Sequence, residues 1–132
     1  MARYLIVDDS PTIRLSLATA IRQASRGAVT IAEAADSATA MKEFKAQKTD
    51  AVFLDIMLEE KRDGLDVLKE MLSINPSARI IFVTGLPASD PKVVKGIQQG
   101  AFGYLGKPAR TDAVRKLLND MEAEAGRFGR IR

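Results

Sequence analysis

Four short apolar runs, Tyr4 to Val7, Ala51 to Leu54, Arg79 to Val83 and Phe102 to Leu105, punctuate this 132-residue chain, and three of them show no alternation with polar residues. Strands of that kind are covered on both faces, as in a parallel sheet with helices above and below. A weaker, alternating run, Ala28 to Ala32, makes a fifth strand. The intervening segments carry helix signals. Ser10-Pro11 pairs an N-cap with a proline at the first helical position, and Ile13, Leu17, Ala20, Ile21 and Ala24 then recur at helical spacing, which predicts a helix over 11–25. Asp36 caps a second over 37–47, with Ala40, Met41 and Phe44 inward. Gly64 opens a third, with Leu65, Leu68, Met71 and Leu72 inward, stopped by Asn75-Pro76 because the residue before a proline disfavours helix. Asp90-Pro91 repeats the cap signal for a fourth, with Val93, Val94 and Ile97 inside and Gly100 as terminator. Thr111 caps a fifth, with Val114, Leu117, Leu118 and Met121 inside. Right-handed crossovers leave such βα units a closed barrel or an open doubly wound sheet, and five units fall short of the eight of the usual barrel. The expectation is a single α/β domain with an open parallel sheet, whose ligands bind at the carboxyl ends of the strands.

Composition narrows the chemistry. The chain has no cysteine and no histidine, which removes disulfides, thiol nucleophiles and every use of imidazole as base, ligand or phosphate carrier. Carboxylates, hydroxyls and lysine remain. The apolar runs fall far short of the ~20 residues of a membrane span, and no secretory leader is evident, so a cytoplasmic location without membrane contact is expected. The net charge of +3 is unevenly spread. Residues 90–119 carry 6 basic and 2 acidic side chains, whereas residues 1–89 carry 11 and 12.

The chemistry-bearing residues follow the predicted strands. Asp8-Asp9 ends the first, Asp55 the third and Thr84 the fourth, and Gly106-Lys107-Pro108 follows the fifth. Any one such aspartate reads most simply as a turn or cap residue. Three carboxylates gathered at one sheet edge repel one another, so the cluster needs a cation or raised pKa values. A hard divalent ion suits an all-oxygen donor set, Mg²⁺ first, with Mn²⁺ as a substitute. Such a site accepts a phosphoryl group: Asp55 is the nucleophile, Lys107 and the metal neutralise the phosphoryl oxygens, and the Thr84 hydroxyl donates to one of them.

Leu5-Ile6-Val7-Asp8-Asp9, Val52-Phe53-Leu54-Asp55-Ile56-Met57, Asp63-Gly64, Ile81-Phe82-Val83-Thr84 and Gly100 to Pro108 together resemble the receiver domain of two-component response regulators. The resemblance implies a flavodoxin-like (βα)5 fold with strand order 2-1-3-4-5 over residues 1–122, followed by a basic C-terminal tail, 123–132, that finishes the last helix and then loosens after Gly126. It implies a phosphoacceptor signalling protein of the stand-alone type, not an enzyme acting on a separate substrate. Asp8, Asp9, Asp55 and the backbone carbonyl of Met57 would hold Mg²⁺, and Asp55 would take phosphate from a sensor histidine kinase or a phosphotransfer protein. Thr84 and Lys107 would bind the phosphoryl group, Thr84 and Tyr104 would switch together, and Lys107-Pro108 would be a cis peptide. Met57 and Leu86 occupy the two positions that flank the water attacking the phosphoryl group in receivers, and both are apolar. Lys92, Lys95, Arg110, Arg115 and Lys116 fall where the family reads out its switch, which suggests a downstream protein partner with an acidic surface.

Some features depart from the family pattern. Glu59 replaces a proline, Asp63-Gly64 comes one residue late, and Gly85, Pro87 and Pro91 set the loop after Thr84 differently. The other class of function compatible with these residues is a receiver-like adaptor that binds proteins without phosphorylation. Nucleic acid is not an expected partner, because the basic stretch lacks an aromatic platform. A P-loop is excluded because Pro108 stands where its Ser/Thr would follow the lysine. Asp55-Ile56-Met57 lacks the second carboxylate of aspartate-nucleophile phosphatases. A flavin or nucleotide binder is disfavoured, since Asp8-Asp9 puts negative charge where a phosphate needs helix N-terminal amides.

Overall fold

The structure, a computed structural model, describes residues 1–58 and 62–131, with side chains described as far as Glu124. Five βα units follow one another: β1 (Ala2–Val7), α1 (Pro11–Ala24), β2 (Val29–Ala34), α2 (Ser37–Ala46), β3 (Ala51–Leu54), α3 (Gly64–Ile74), β4 (Ile80–Thr84), α4 (Pro91–Gln98), β5 (Gly103–Gly106) and α5 (Thr111–Ile131). All strand pairs are parallel, in the order β2-β1-β3-β4-β5. Val7 lies level with Ala34 and Leu54, Leu54 with Phe82, and Thr84 with Gly106, so the strands end together at one edge. The described helices include none long and apolar enough to cross a membrane.

The non-alternating runs are explained by two cores, one on each face of the sheet. Leu5, Val7, Val52, Leu54, Ile80 and Phe82 point to the side covered by α2, α3 and α4. Tyr4, Ile6, Phe53, Ile81, Val83 and Leu105 point to the side covered by α1 and α5. Side chains alternate along a strand, so a strand buried on both faces needs apolar residues at every position. Phe53 and Phe82 are fully buried on opposite faces, and truncating either to alanine is expected to cost ~3–5 kcal/mol.

Helix starts follow the expected cap chemistry. The Ser10, Asp36, Asp63 and Asp90 side chains each accept a backbone N–H from the first turn of the helix they precede. Asp63 and Asp66 complete a reciprocal capping box on α3. Gly64 is required there by space: an added Cβ would lie 2.5 Å from the Asp55 carbonyl oxygen, so only glycine lets α3 begin against the loop that follows β3. Gly100 terminates α4 with φ 116°, a conformation that favours glycine.

Four expectations are corrected. Val94 and Ile97 are 42% and 43% exposed, because α4 buries only a narrow face through Val93 and Gly96. Thr111 does not cap α5; the first helical bond runs from Val114 N–H to the Arg110 carbonyl, and the Thr111 hydroxyl donates to Gln23 Oε1 of α1. The fifth helix continues to Ile131, past Gly126, where its end was expected; an isolated glycine weakens a helix by ~1 kcal/mol without ending it. Strand β2 is shifted C-terminally, ending at Ala34, whose carbonyl accepts the Asp8 N–H at 3.1 Å. Glu59 lies outside the described residues.

Candidate functional site

Parallel register brings the ends of β1, β3, β4 and β5 side by side, and with them Asp8, Asp55, Thr84 and Lys107. Asp8, Asp55 and Thr84 are buried, at 2%, 5% and 1% exposure, while Asp9 faces solvent. One oxygen from each of Asp8, Asp9 and Asp55 lies within 4.8 Å of the others. Lys107 Nζ sits between the two buried carboxylates, 2.7 Å from Asp8 Oδ2 and 2.8 Å from Asp55 Oδ2. Burial alone would push the Lys107 ammonium down, yet hydrogen bonds to Asp55 and Asp8, reinforced by their charges, outweigh it and hold its pKa above the ordinary lysine value. The peptide that carries it, Lys107-Pro108, is cis, and the Lys107 N–H donates to the Thr84 carbonyl at 3.0 Å.

Backbone N–H groups orient the carboxylates from the other side. Ser10 N–H donates to Asp8 Oδ1 at 2.9 Å and Met57 N–H to Asp55 Oδ1 at 3.2 Å. With one ammonium against three carboxylates, the cluster keeps a formal charge of −2. An all-carboxylate oxygen set with that residual charge fits a hard divalent cation such as Mg²⁺.

Thr84 and Tyr104 meet through the backbone of Leu86. Leu86 N–H donates to Thr84 Oγ1 at 3.4 Å, and the Tyr104 hydroxyl donates to the Leu86 carbonyl at 2.6 Å. The arrangement gives the loop after β4 a direct link to both side chains.

Residues 4–119 match the profile of the response regulator receiver domain. The chain belongs to the response regulator receiver family. It is 33% identical over 117 residues to the chemotaxis protein CheY of Bacillus subtilis, covering 89% of this chain and 94% of that one. A receiver domain protein from Clostridium thermocellum has the same fold, with a TM-score of 0.84, 24% identity and coverage of 97% of this chain and 99% of the other. A response regulator from Burkholderia pseudomallei, solved with a phosphorylated aspartic acid, calcium ion and citrate, matches with a TM-score of 0.74 and 26% identity over 96% of this chain and 73% of that one. Receivers are the phosphoacceptor signalling proteins of two-component systems and characteristically bind Mg²⁺ at an acidic pocket.

Within this receiver the remaining expected residues scatter. Met57 is 56% exposed two residues after Asp55, but Leu86 packs against the core formed with α3 and α4. The five basic residues do not form one patch. Lys92 turns toward the start of α3, with Nζ 3.4 Å from Asp63 Oδ2. Arg115 turns toward the end of α1, donating to the Gln23 carbonyl at 3.4 Å, and Arg110 pairs with Asp112 at 3.4 Å. Lys95 and Lys116 remain as exposed cations. Reading the sequence missed Arg14, whose guanidinium donates to the Asp8 carbonyl at 2.7 Å. Its signal was available: it is the first charged residue of α1, placed one turn inside a helix that starts beside Asp8-Asp9.

Proposed function

We propose that this receiver takes a phosphoryl group onto Asp55 from a histidine kinase or phosphotransfer protein, and that the modified form acts on a protein partner. The observation that carries the reading is the position of Lys107 Nζ between Asp8 and Asp55, with Asp9 completing the acidic set. Asp8, Asp9, Asp55 and the Met57 carbonyl would hold Mg²⁺, which supplies charge neutralisation for the phosphoryl oxygens when bound. The chain has no histidine, so the phosphohistidine belongs to the donor. An Asp55 carboxylate oxygen attacks phosphorus, the donor's P–N bond breaks, and its electron pair returns to the imidazole. Lys107 and the Thr84 hydroxyl, both at the same edge, stabilise the charge that spreads over the transferred group. The neighbour with a phosphorylated aspartate and a calcium ion supports this assignment.

Readout runs through Thr84. Once its hydroxyl turns to a phosphoryl oxygen, Leu86 N–H loses its acceptor, and the Leu86–Tyr104 bond couples that change to β5. Val94 and Ile97 of α4 are exposed apolar side chains, and Lys95 and Lys116 are exposed cations of α4 and α5. An acidic partner with an apolar anchor suits these exposed residues, and its association would weaken with salt.

Incubation with acetyl phosphate and Mg²⁺, followed by intact mass, is expected to add one phosphoryl group to the wild type and none to Asp55→Asn or to protein in EDTA. Equal labelling of wild type and Asp55→Asn overturns the assignment. Partner binding that survives in an unlabelled Asp55→Asn protein favours a phosphorylation-independent adaptor.

A further inference from the structure

Of the three carboxylates, Asp9 is held least directly. Its side chain is exposed, and among the described residues nothing hydrogen bonds or ion pairs with it, whereas Asp8 and Asp55 are each oriented by Lys107 and a backbone N–H. Its direction is therefore set by its backbone. The peptide before it is planar, so whatever fixes the Asp8 carbonyl also fixes Asp9 N and Cα. That carbonyl accepts from Arg14 Nη1 at 2.7 Å. The peptide after it is fixed by Ser10 N–H on Asp8 Oδ1 at 2.9 Å.

Arg14 is itself anchored. Its Nε donates to Glu33 Oε1 of β2 at 3.0 Å, one residue before Ala34, whose carbonyl takes the Asp8 N–H. Side chains of a helix lean toward its N-terminus, which is how a residue one turn into α1 reaches back to the end of β1. Two acceptors, one just past β1 and one on β2, suit the rigid fork of a guanidinium, whose Nη1 and Nε each donate to one of them. The pair with Glu33 also offsets the Arg14 charge, which unopposed would disfavour a cation at the adjoining carboxylates.

We propose that Arg14, anchored by Glu33, is a positioning residue that holds the Asp8–Asp9 peptide so that the Asp9 carboxylate faces the divalent cation. The proposal rests on the reading of the site given above. It also separates from a purely electrostatic role by sign: removing a nearby positive charge would tighten cation binding, whereas removing a positioning residue weakens it.

The test is calorimetric titration of the metal-free full chain with Mg²⁺, alongside urea unfolding in EDTA. Arg14→Met is expected to bind Mg²⁺ about tenfold more weakly than the wild type, the scale on which groups behind a metal's ligands act. Arg22→Met, at the far end of α1, should bind as the wild type does. A merely structural role would lower the urea midpoint and leave the affinity of the folded protein unchanged. Should Arg14→Met not fold, Arg14→Lys, which keeps the charge but lacks the planar fork, is read by the same criterion. Affinity within twofold of the wild type, or tighter, overturns the proposal. Absence of Mg²⁺ binding by the wild type overturns the reading of the site instead.

Discussion

The two edges of the parallel sheet treat charge in opposite ways. At the amino edge, charges from different elements pair off. Arg3 of β1 bonds Glu43 of α2 at 2.9 Å and the Thr49 hydroxyl at 2.7 Å, its N–H meets Asp50 at 2.8 Å, and Arg79 lies over the Phe102 ring and 3.5 Å from Glu124 of α5. At the carboxyl edge, three carboxylates cluster and a single ammonium pairs with two of them. Paired charges close a structure. A surplus of one sign stores repulsion that only a ligand of the other sign relieves, which makes the carboxyl edge the one organised for binding.

Breaking the lysine tests that contrast most severely. Lys107→Met leaves Asp8 and Asp55 facing each other without that ammonium and removes the cation proposed to neutralise the transferred phosphoryl group. Losing one such stabilising group typically costs about 10²-fold or more in rate, so the initial rate of labelling by acetyl phosphate should fall by at least that factor. A rate within tenfold of the wild type would mean that Lys107 is only a counter-ion for the resting protein.

The opposite edge should show the opposite pattern. Arg3→Met removes a largely buried guanidinium from its carboxylate and hydroxyl partners, and the expected loss is about 1–2 kcal/mol of stability, read as a lower urea midpoint. Labelling of Asp55 at saturating acetyl phosphate should be unchanged. A slower reaction in that variant would show that the two edges are coupled through the sheet.

The carboxyl edge was also the more legible of the two in the sequence. Strand ends are marked by abrupt changes from apolar to polar residues, so Asp8, Asp55, Thr84 and Lys107 could be placed at one edge from local pattern alone. What local pattern does not carry is the direction in which an exposed side chain turns. Lys92 and Arg115 share a basic stretch in sequence but reach to α3 and α1 respectively, because their angular positions on α4 and α5 face different neighbours. Val94 and Ile97 fit a helical stripe as well as Val93 does, and only the shallow packing of α4 leaves them outside. Arg14 is marked in the sequence only by its place one turn into α1, because its contact with the backbone carbonyl of Asp8 names no partner residue type.

On the proposed function, the side chain beside Asp55 should govern how long a phosphoryl group there lasts. Met57 is exposed next to Asp55 and has no group to orient an attacking water. Met57→Asn should speed loss of the phosphoryl group roughly tenfold, a modest share of what water positioning contributes. Leu86 is the poorer site for this test, since its side chain packs against the core and a charged replacement would be driven into apolar surroundings. Unchanged decay in Met57→Asn would show that access of water, and not its orientation, limits the lifetime.

The smallest effect belongs to the amino edge and to alkaline pH. Tyr4 packs edge-on against Phe53, with ring centroids 5.9 Å apart, in the core under α1 and α5. Its phenol is held above the ordinary tyrosine value first by burial and then by the charges of Asp50 and Glu122. A raised folded-state pKa means that the native chain keeps the phenolic proton more tightly than the unfolded chain does. The associated stability is complete below the unfolded pKa of about 10 and is lost as pH rises through the higher folded value. Tyr4→Phe cannot ionise, so the difference in urea midpoint between it and the wild type should be constant up to about pH 10 and then move in favour of the variant. Lysines titrate in the same range in both proteins and cancel in the difference, including Lys107, whose own raised value acts with the same sign at the other edge. A difference that stays flat to pH 11.5 would mean that water reaches the phenolate as freely in the folded chain as in the unfolded one, and that the amino edge is less closed than its pairing of charges implies.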